Sequence, residues 1–409
     1  MNAKKQFLSN LAGIGLIDGL NLLIPLLTIP ILSRVLGPEE YGVYLLIITI
    51  VMFGYTFIDY SCNYVGVRQL SQANSKAEQS EIFINHFCYR LLFTFFYVLC
   101  AAIVALFLYE QQIVMLVLSI SLPFLIGYAL TNAWFYIGTA NIYMLACLSV
   151  VAKLVHLAVI LLYVKGPQDL TLALHSLSVP TLLVGCILFC LIYKDYAIST
   201  VSLSYLYSNA VTELKNGSNV FIGLLAPNLY NAIPLIIVAA FYSKLDYALL
   251  ASAIKVAGVI FIVQNILAKA LFPILSKRNK GNLSKVLMIN LFVAISLLIS
   301  LLILGEWLII SFLGEQYLGA YSYLVIMAVS AIFIGVANTY GQGYFLANGK
   351  DKQYRKITVY SSIISGLIML ICIYWLDLLG FVLGMLVARF LLAASLYTAY
   401  HREGNQIES

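Results

Sequence analysis

Pro25-Leu26-Leu27-Thr28-Ile29-Pro30-Ile31-Leu32-Ser33-Arg34-Val35-Leu36-Gly37-Pro38-Glu39-Glu40-Tyr41-Gly42 decides the fold class. An apolar run carrying two prolines reaches a short polar turn, and a second apolar run starts at once at Val43. From Leu11 to Leu32 the only charge is Asp18, and the run is long enough to cross about 30 Å of hydrocarbon. Glycine closes the turn at both ends, and Pro38 cannot continue a helix. The stretch predicts a helical hairpin across a membrane, its first arm weakened by proline.

Composition carries this reading to the whole chain. Hydrophobic residues make up 62% of it and charged residues 10%, with a mean hydropathy of +0.97. A soluble domain is about half apolar and about a quarter charged. The net charge of +6 does not imply nucleic acid, because the basic residues are spread over many short loops rather than gathered in a patch. Lys4 and Lys5 precede an apolar run too long for a signal peptide and without a small-residue cleavage site, so it reads as a retained first span. The seven cysteines form no CxxC pair, and Cys186 and Cys190 have no histidine beside them, so no metal site is expected. No GxxxxGK[ST] occurs, and no nucleotide or other cofactor is implied.

Apolar runs predict an all-α integral membrane protein of twelve transmembrane helices. They lie near 11–33, 42–62, 89–109, 113–136, 142–164, 171–193, 218–240, 247–271, 286–305, 320–340, 357–376 and 378–400. With the N-terminus inside, most of the 23 Lys and Arg, Arg90 among them, fall in inner segments, and the outer loops hold only Arg34, Lys165 and Lys244. This places both termini in the cytoplasm. The longest connection, 194–217, is inner and divides the spans six and six. The expected organisation is an N-terminal six-helix bundle (1–193), a cytoplasmic linker (194–217), a C-terminal six-helix bundle (218–400) and a tail (401–409).

Several motifs along the chain resemble one family. Ser9-Asn10, the Pro25/Pro30 pair and Leu36-Gly37-Pro38-Glu39-Glu40-Tyr41-Gly42 resemble the start of bacterial polysaccharide flippases of the Wzx type. That family belongs to the exporter superfamily that also holds the MATE multidrug antiporters and the lipid II flippase MurJ. Asp59 to Arg68 is similar to a stretch where the family places an acid, an Asn and an Arg. Trp134-Phe135-Tyr136-Ile137-Gly138 looks like its aromatic turn after span four. Val164 to Asp169, Ala253-Ile254-Lys255-Val256, Leu271 to Lys277 and Asn348 to Lys352 match further turns in order. The resemblance implies two bundles around a central cavity. It also implies transport of undecaprenyl-diphosphate-linked oligosaccharide, an O-antigen or capsule repeat unit, across the bacterial inner membrane. Membrane lipids, and the polymerase and chain-length regulator of the same pathway, would be its partners. Arg389 departs from the family pattern.

Charges within the apolar runs are the candidate site. A Lys or Arg at the bilayer centre costs about 2.5–3.5 kcal/mol on insertion scales, so such groups face a polar cavity or a partner. Lys153, with His156 three residues on, and Lys255 would line a cationic cavity for a diphosphate or acidic sugars; Arg389 would line it or pair between helices. Arg68 would meet an anionic headgroup at the inner mouth. Asp18 and Asp59 are ion-coupling candidates, since a buried carboxylate can exchange a proton between access states; the alternative for Asp18 is a charge partner for a lumen lysine, and for Asp59 a place at the inner end of span two, near water. Tyr136 and Tyr230 could stack on sugars. The rival readings are a multidrug antiporter, which would want an acidic cavity for organic cations, and a polysaccharide polymerase, which would need a sizeable outer loop with catalytic groups. No such loop is present, so a non-enzyme is expected.

Overall fold

A computed structural model of the protein describes residues 19, 23–196, 203–275 and 280–408. Asp18 lies outside the described residues. Helices and the turns between them account for the described chain, with no strand among them. Nine helical segments are long and apolar enough to cross a membrane among the described residues. This is a multi-pass membrane protein, and the helical form follows from its solvent: hydrocarbon offers backbone N–H and C=O groups no partner, so each span bonds internally.

The chain divides into two compact units, Met1–Phe221 and Ile222–Ser409. In the first unit, α1 (Leu23–Val35) leads directly into α2 (Gly37–Asp59). The expected polar turn of residues 37–42 is shorter than its sequence suggests. Only Leu36 and Gly37, at φ 73°, turn the chain, and Pro38 to Gly42 form the first turn of α2. Proline fits there because the first helical N–H groups have no partner to lose, and Glu39 and Glu40 favour the positive end of the helix dipole. α1 continues through Pro30.

Beyond α2 come a π-helical turn (Cys62–Gly66), α3 (Val67–Gln72), α4 (Lys76–Leu108), α5 (Gln111–Thr131), α6 (Ala133–Gly138), α7 (Ile142–Tyr163) and α8 (Leu170–Tyr196). α4 starts thirteen residues before its apolar run. Ser75 caps it by accepting from Glu78 N, while the Glu78 carboxylate accepts from Asn74 N. α5 and α8 pack backbone to backbone, since a Cβ on Gly127 would lie 2.6 Å from Leu182 Cα. α9 (Leu203–Leu225) spans much of the expected linker and carries the chain into the second unit.

The second unit holds α10 (Ala232–Phe241), α11 (Lys244–Leu275), α12 (Lys280–Phe312), α13 (Tyr321–Tyr340) and α14 (Asp351–Glu408). α9 and α10 are separated by a 3-10 turn at Ala226–Leu229 containing Pro227, whereas α11 runs unbroken. α14 is two helices meeting at Asp377, whose φ of 50° and ψ of −134° leave the helical region. α13 packs against α11, α12 and α14. Gln264 Nε2 donates to Ala331 O at 3.0 Å and Asn290 Nδ2 to Thr339 Oγ1 at 3.2 Å, polar links between helices that lipid cannot supply.

Candidate functional site

Two helices of the first unit end with left-handed residues that are not glycine. α2 stops at Asp59, and Tyr60 (φ 37°) and Ser61 (φ 74°) turn the chain into the π-helical segment. α5 stops at Thr131, and Asn132 (φ 45°) turns it into α6. Each such residue costs about 1–2 kcal/mol, least for Asn. A helix end also leaves carbonyls without intrahelical partners and a partial negative charge.

Arg90 of α4 meets both ends. It is 1% exposed. Its Nε donates to Ile58 O (3.3 Å), and Nη1 donates to Ala129 O (3.4 Å) and Asn132 Oδ1 (2.7 Å). Trp134 Nε1 also donates to Asn132 Oδ1 at 3.3 Å, while Asn132 Nδ2 donates to Leu130 O. The guanidinium lies 5.3 Å from the centre of the Tyr128 ring. Asp59 stands beside this group, 9% exposed. Asn63 Nδ2 donates to its carboxylate at 2.6 Å, the Tyr128 hydroxyl bonds it, and the charge of Arg90 acts on it. A buried cation thus bonds two helix C-termini, with a carboxylate within reach of its charge.

One turn earlier on α4, His86 joins a second polar chain. Its Nε2 lies 2.7 Å from Gln69 Oε1, and Gln69 Nε2 donates to Glu213 Oε2 of α9 at 2.7 Å. The amide oxygen can only accept, so Nε2 carries the hydrogen. Neutral His86 then accepts at Nδ1 from the Tyr89 hydroxyl, which in turn accepts from the Cys62 thiol at 3.2 Å. The tautomer is assigned from these partners.

The sequence-predicted residues are placed as follows. Asp59 joins the Arg90 cluster. Arg68 on α3 is exposed. Lys153 on α7 is half-buried, while His156 is buried and donates from Nδ1 to Ser176 Oγ of α8 at 2.8 Å. In the second unit Lys255 on α11 is half-buried and has no hydrogen-bond or ionic partner among the described residues. Arg389 is 7% exposed; it donates to Ser330 Oγ, reaches Met327 Sδ at 3.8 Å and lies 4.5 Å from the centre of the Phe261 ring. No carboxylate pairs with it among the described residues. Tyr136 is committed to packing, its hydroxyl donating to Leu188 O at 2.7 Å.

Arg90 is the residue that sequence reasoning missed, because it stands beside the start of an apolar run and was counted as a topology signal. Two features mark it. Ser75-Lys76-Ala77-Glu78 is a helix-start signature, and Phe83, His86, Arg90, Thr94 and Tyr97 repeat with helical spacing on the buried face of α4.

The sequence pattern described as "Polysaccharide biosynthesis protein" matches residues 7–279, about two thirds of the chain. The chain belongs to this family. It is 24% identical over 378 residues to a candidate O-antigen transporter of Escherichia coli (strain K12), covering 90% of this chain and 91% of that protein. A counterpart in Shigella dysenteriae is 24% identical over 387 residues, with 92% and 96% covered. The fold resembles that of the lipid II flippase MurJ in an inward closed conformation, with a TM-score of 0.71, 13% identity, and 96% of this chain and 87% of that one covered. It also resembles an inward-facing MATE multidrug resistance transporter of the MOP superfamily, with a TM-score of 0.68, 12% identity, and 94% and 96% covered. This member of the polysaccharide biosynthesis family therefore has the MOP-superfamily transporter fold.

Proposed function

We propose that the protein translocates an undecaprenyl-diphosphate-linked oligosaccharide, an O-antigen or capsule repeat unit, from the inner to the outer leaflet of the bacterial inner membrane by alternating access. The family match, together with two relatives named for O-antigen transport, carries this reading. It is a transporter, not an enzyme. Twelve spans in two six-helix bundles, 1–193 and 218–400 with a linker at 194–217, fit the described helices once α1, α11 and the division of α14 at Asp377 are added to the long apolar segments. Both termini are cytoplasmic, as the Lys and Arg distribution argues.

The diphosphate needs cations, and each unit offers them within the hydrophobic span. Lys153 serves in the first; Lys255 and Arg389 serve in the second, free of a carboxylate among the described residues that would compete with an anion. Exposed Arg68 meets the headgroup. Asp18 and Asp59 are the groups through which an ion gradient would act, and Asp59 is already held beside a cation by Asn63 and Tyr128. The polymerase and chain-length regulator of the pathway receive the product. A multidrug antiporter shares the fold, but lipophilic cations would be repelled by Lys255 and Arg389.

The test is the leaflet on which lipid-linked units accumulate after deletion of the gene, read with a membrane-impermeant lectin or glycosidase on spheroplasts. Inner-leaflet accumulation, cured by the intact gene, is expected. Single units arriving normally on the outer leaflet would overturn the reading, pointing to a polymerase if they stay unpolymerised and to the antiporter if nothing changes.

A further inference from the structure

We propose that Arg90 is a positioning residue that pins two membrane-helix breaks together, so that the segments beyond them, 61–72 and 133–138, act as one body hinged at Tyr60-Ser61 and at Asn132. The inference goes beyond the transport reading, because it concerns how the first unit bends whatever it carries.

Three observations converge on it. First, the two breaks belong to helices far apart in sequence, yet one guanidinium bonds the last carbonyls of both, Ile58 O and Ala129 O, and the side chain of the turning residue Asn132. Neither break contains a proline or glycine at its turning residues, and only Asn132 has a local preference for the left-handed region. A charge-assisted donor at two helix C-termini supplies what the local sequence does not.

Second, the segments beyond the breaks pack on each other. A Cβ on Gly66 would fall 2.8 Å from Trp134, and one on Gly138 would fall 2.7 Å from Leu70. Cys62, Leu70, Trp134, Phe135 and Tyr136 belong to one buried cluster, which also takes in Phe83 and Tyr89 of α4, Leu145 of α7 and Leu188 of α8. With so little space between them, neither segment can swing without the other.

Third, α9 is fastened to the same body. Gln69 Nε2 donates to Glu213 Oε2 at 2.7 Å, Tyr60 hydroxyl donates to Leu214 O at 3.1 Å, and the Tyr60 ring stacks on Phe221 at 4.2 Å. A Cβ on Gly217 would collide with Ser61. The chain that continues into the second unit is therefore held by the hinged body, and Phe57 near the end of α2 adds one edge-to-face ring contact to Phe221 at 5.8 Å. Movement at the two breaks passes into the connection through these contacts.

Hydrogen–deuterium exchange of the purified full chain, without substrate, tests the pin independently of what is transported. In Arg90→Met, exchange across 58–66 and across 129–138 is expected to rise together by about tenfold or more, the factor that loss of a hydrogen bond to a charged group implies. Segment 142–163 should keep its wild-type rate, and Arg90→Lys should lie between. If Arg90→Met loosens the whole unit, Arg90→Met with Asp59→Asn, which leaves no buried carboxylate unpaired, decides in its place. Coupled loosening of both segments supports the pin. Loosening of one segment alone, or wild-type exchange in both, overturns it.

Discussion

Arg90 Nη1 donates to Asn132 Oδ1 at 2.7 Å, joining the middle of α4 to the residue where α5 turns. Both side chains are buried, and Asn132 is also held in the left-handed region. Backbone geometry and charge therefore meet in one residue, and substitutions there separate the two effects.

Asn132→Gly relieves the left-handed backbone but removes the acceptor for Arg90 and Trp134. Asn132→Ala removes the acceptor and adds strain of about 1–2 kcal/mol. Thermal unfolding in detergent should rank wild type above Asn132→Gly, and Asn132→Gly above Asn132→Ala. Equal melting of the two variants would show that backbone strain is absent.

Two glycines make a contrast in packing. Ala at Gly127 places a methyl 2.6 Å from the backbone of Leu182, which cannot rotate away, and overpacking of this kind costs about 1–3 kcal/mol. Ala at Gly258, within α11, meets nothing within 4 Å and should be neutral or stabilising by up to about 1 kcal/mol. Detergent melting of Gly127→Ala and Gly258→Ala checks the opposite signs.

If Lys255 receives the diphosphate, Lys255→Ala abolishes transport and Lys255→Arg keeps part of it at equal expression. The readout is complementation of a deletion strain, scored by surface glycan. Equal activity of the two variants would remove charge from the role of this residue.

Lys350 donates to Tyr344 hydroxyl at 2.9 Å and pairs with Glu403, fastening the turn after α13 to the end of α14. Burial alone would push its pKa down, but the hydrogen bonds it donates to Glu403 and Tyr344 outweigh it and hold the ammonium above its ordinary range. A raised folded pKa means the contribution is complete below the unfolded value of about 10.4 and is lost as pH rises through the folded one. Glu403→Gln should therefore destabilise by less than about 1 kcal/mol near neutral pH, since the lysine is partly exposed. The difference from wild type should shrink above about pH 10.5. Melting curves across this range measure it.

The sequence by itself determined the class of the molecule, because hydropathy is a local property and hydrocarbon imposes helices on any long apolar run. Spans, family and the candidate cations were legible for that reason. Breaks were not. The visible markers were the prolines of 25–38, yet α1 passes through Pro30 and Pro38 begins a helix. The chain turns instead at Tyr60, Ser61 and Asn132, of which only Asn132 favours a left-handed turn, and a guanidinium thirty residues from one break and forty-two from the other bonds the released carbonyls. Asp59 and Arg90 were each visible as charges in the sequence, but their proximity depends on where α4 packs. Only the tertiary structure decided that Arg90 lies inside the protein and not at its surface: the thirteen residues before its apolar run are helical and turn Ser80, Asn85 and His86 inward while Lys76, Glu78 and Glu81 stay exposed. In water that face would stay solvated; packed against α2 and α5, it satisfies two helix ends that nothing nearby in the sequence could satisfy.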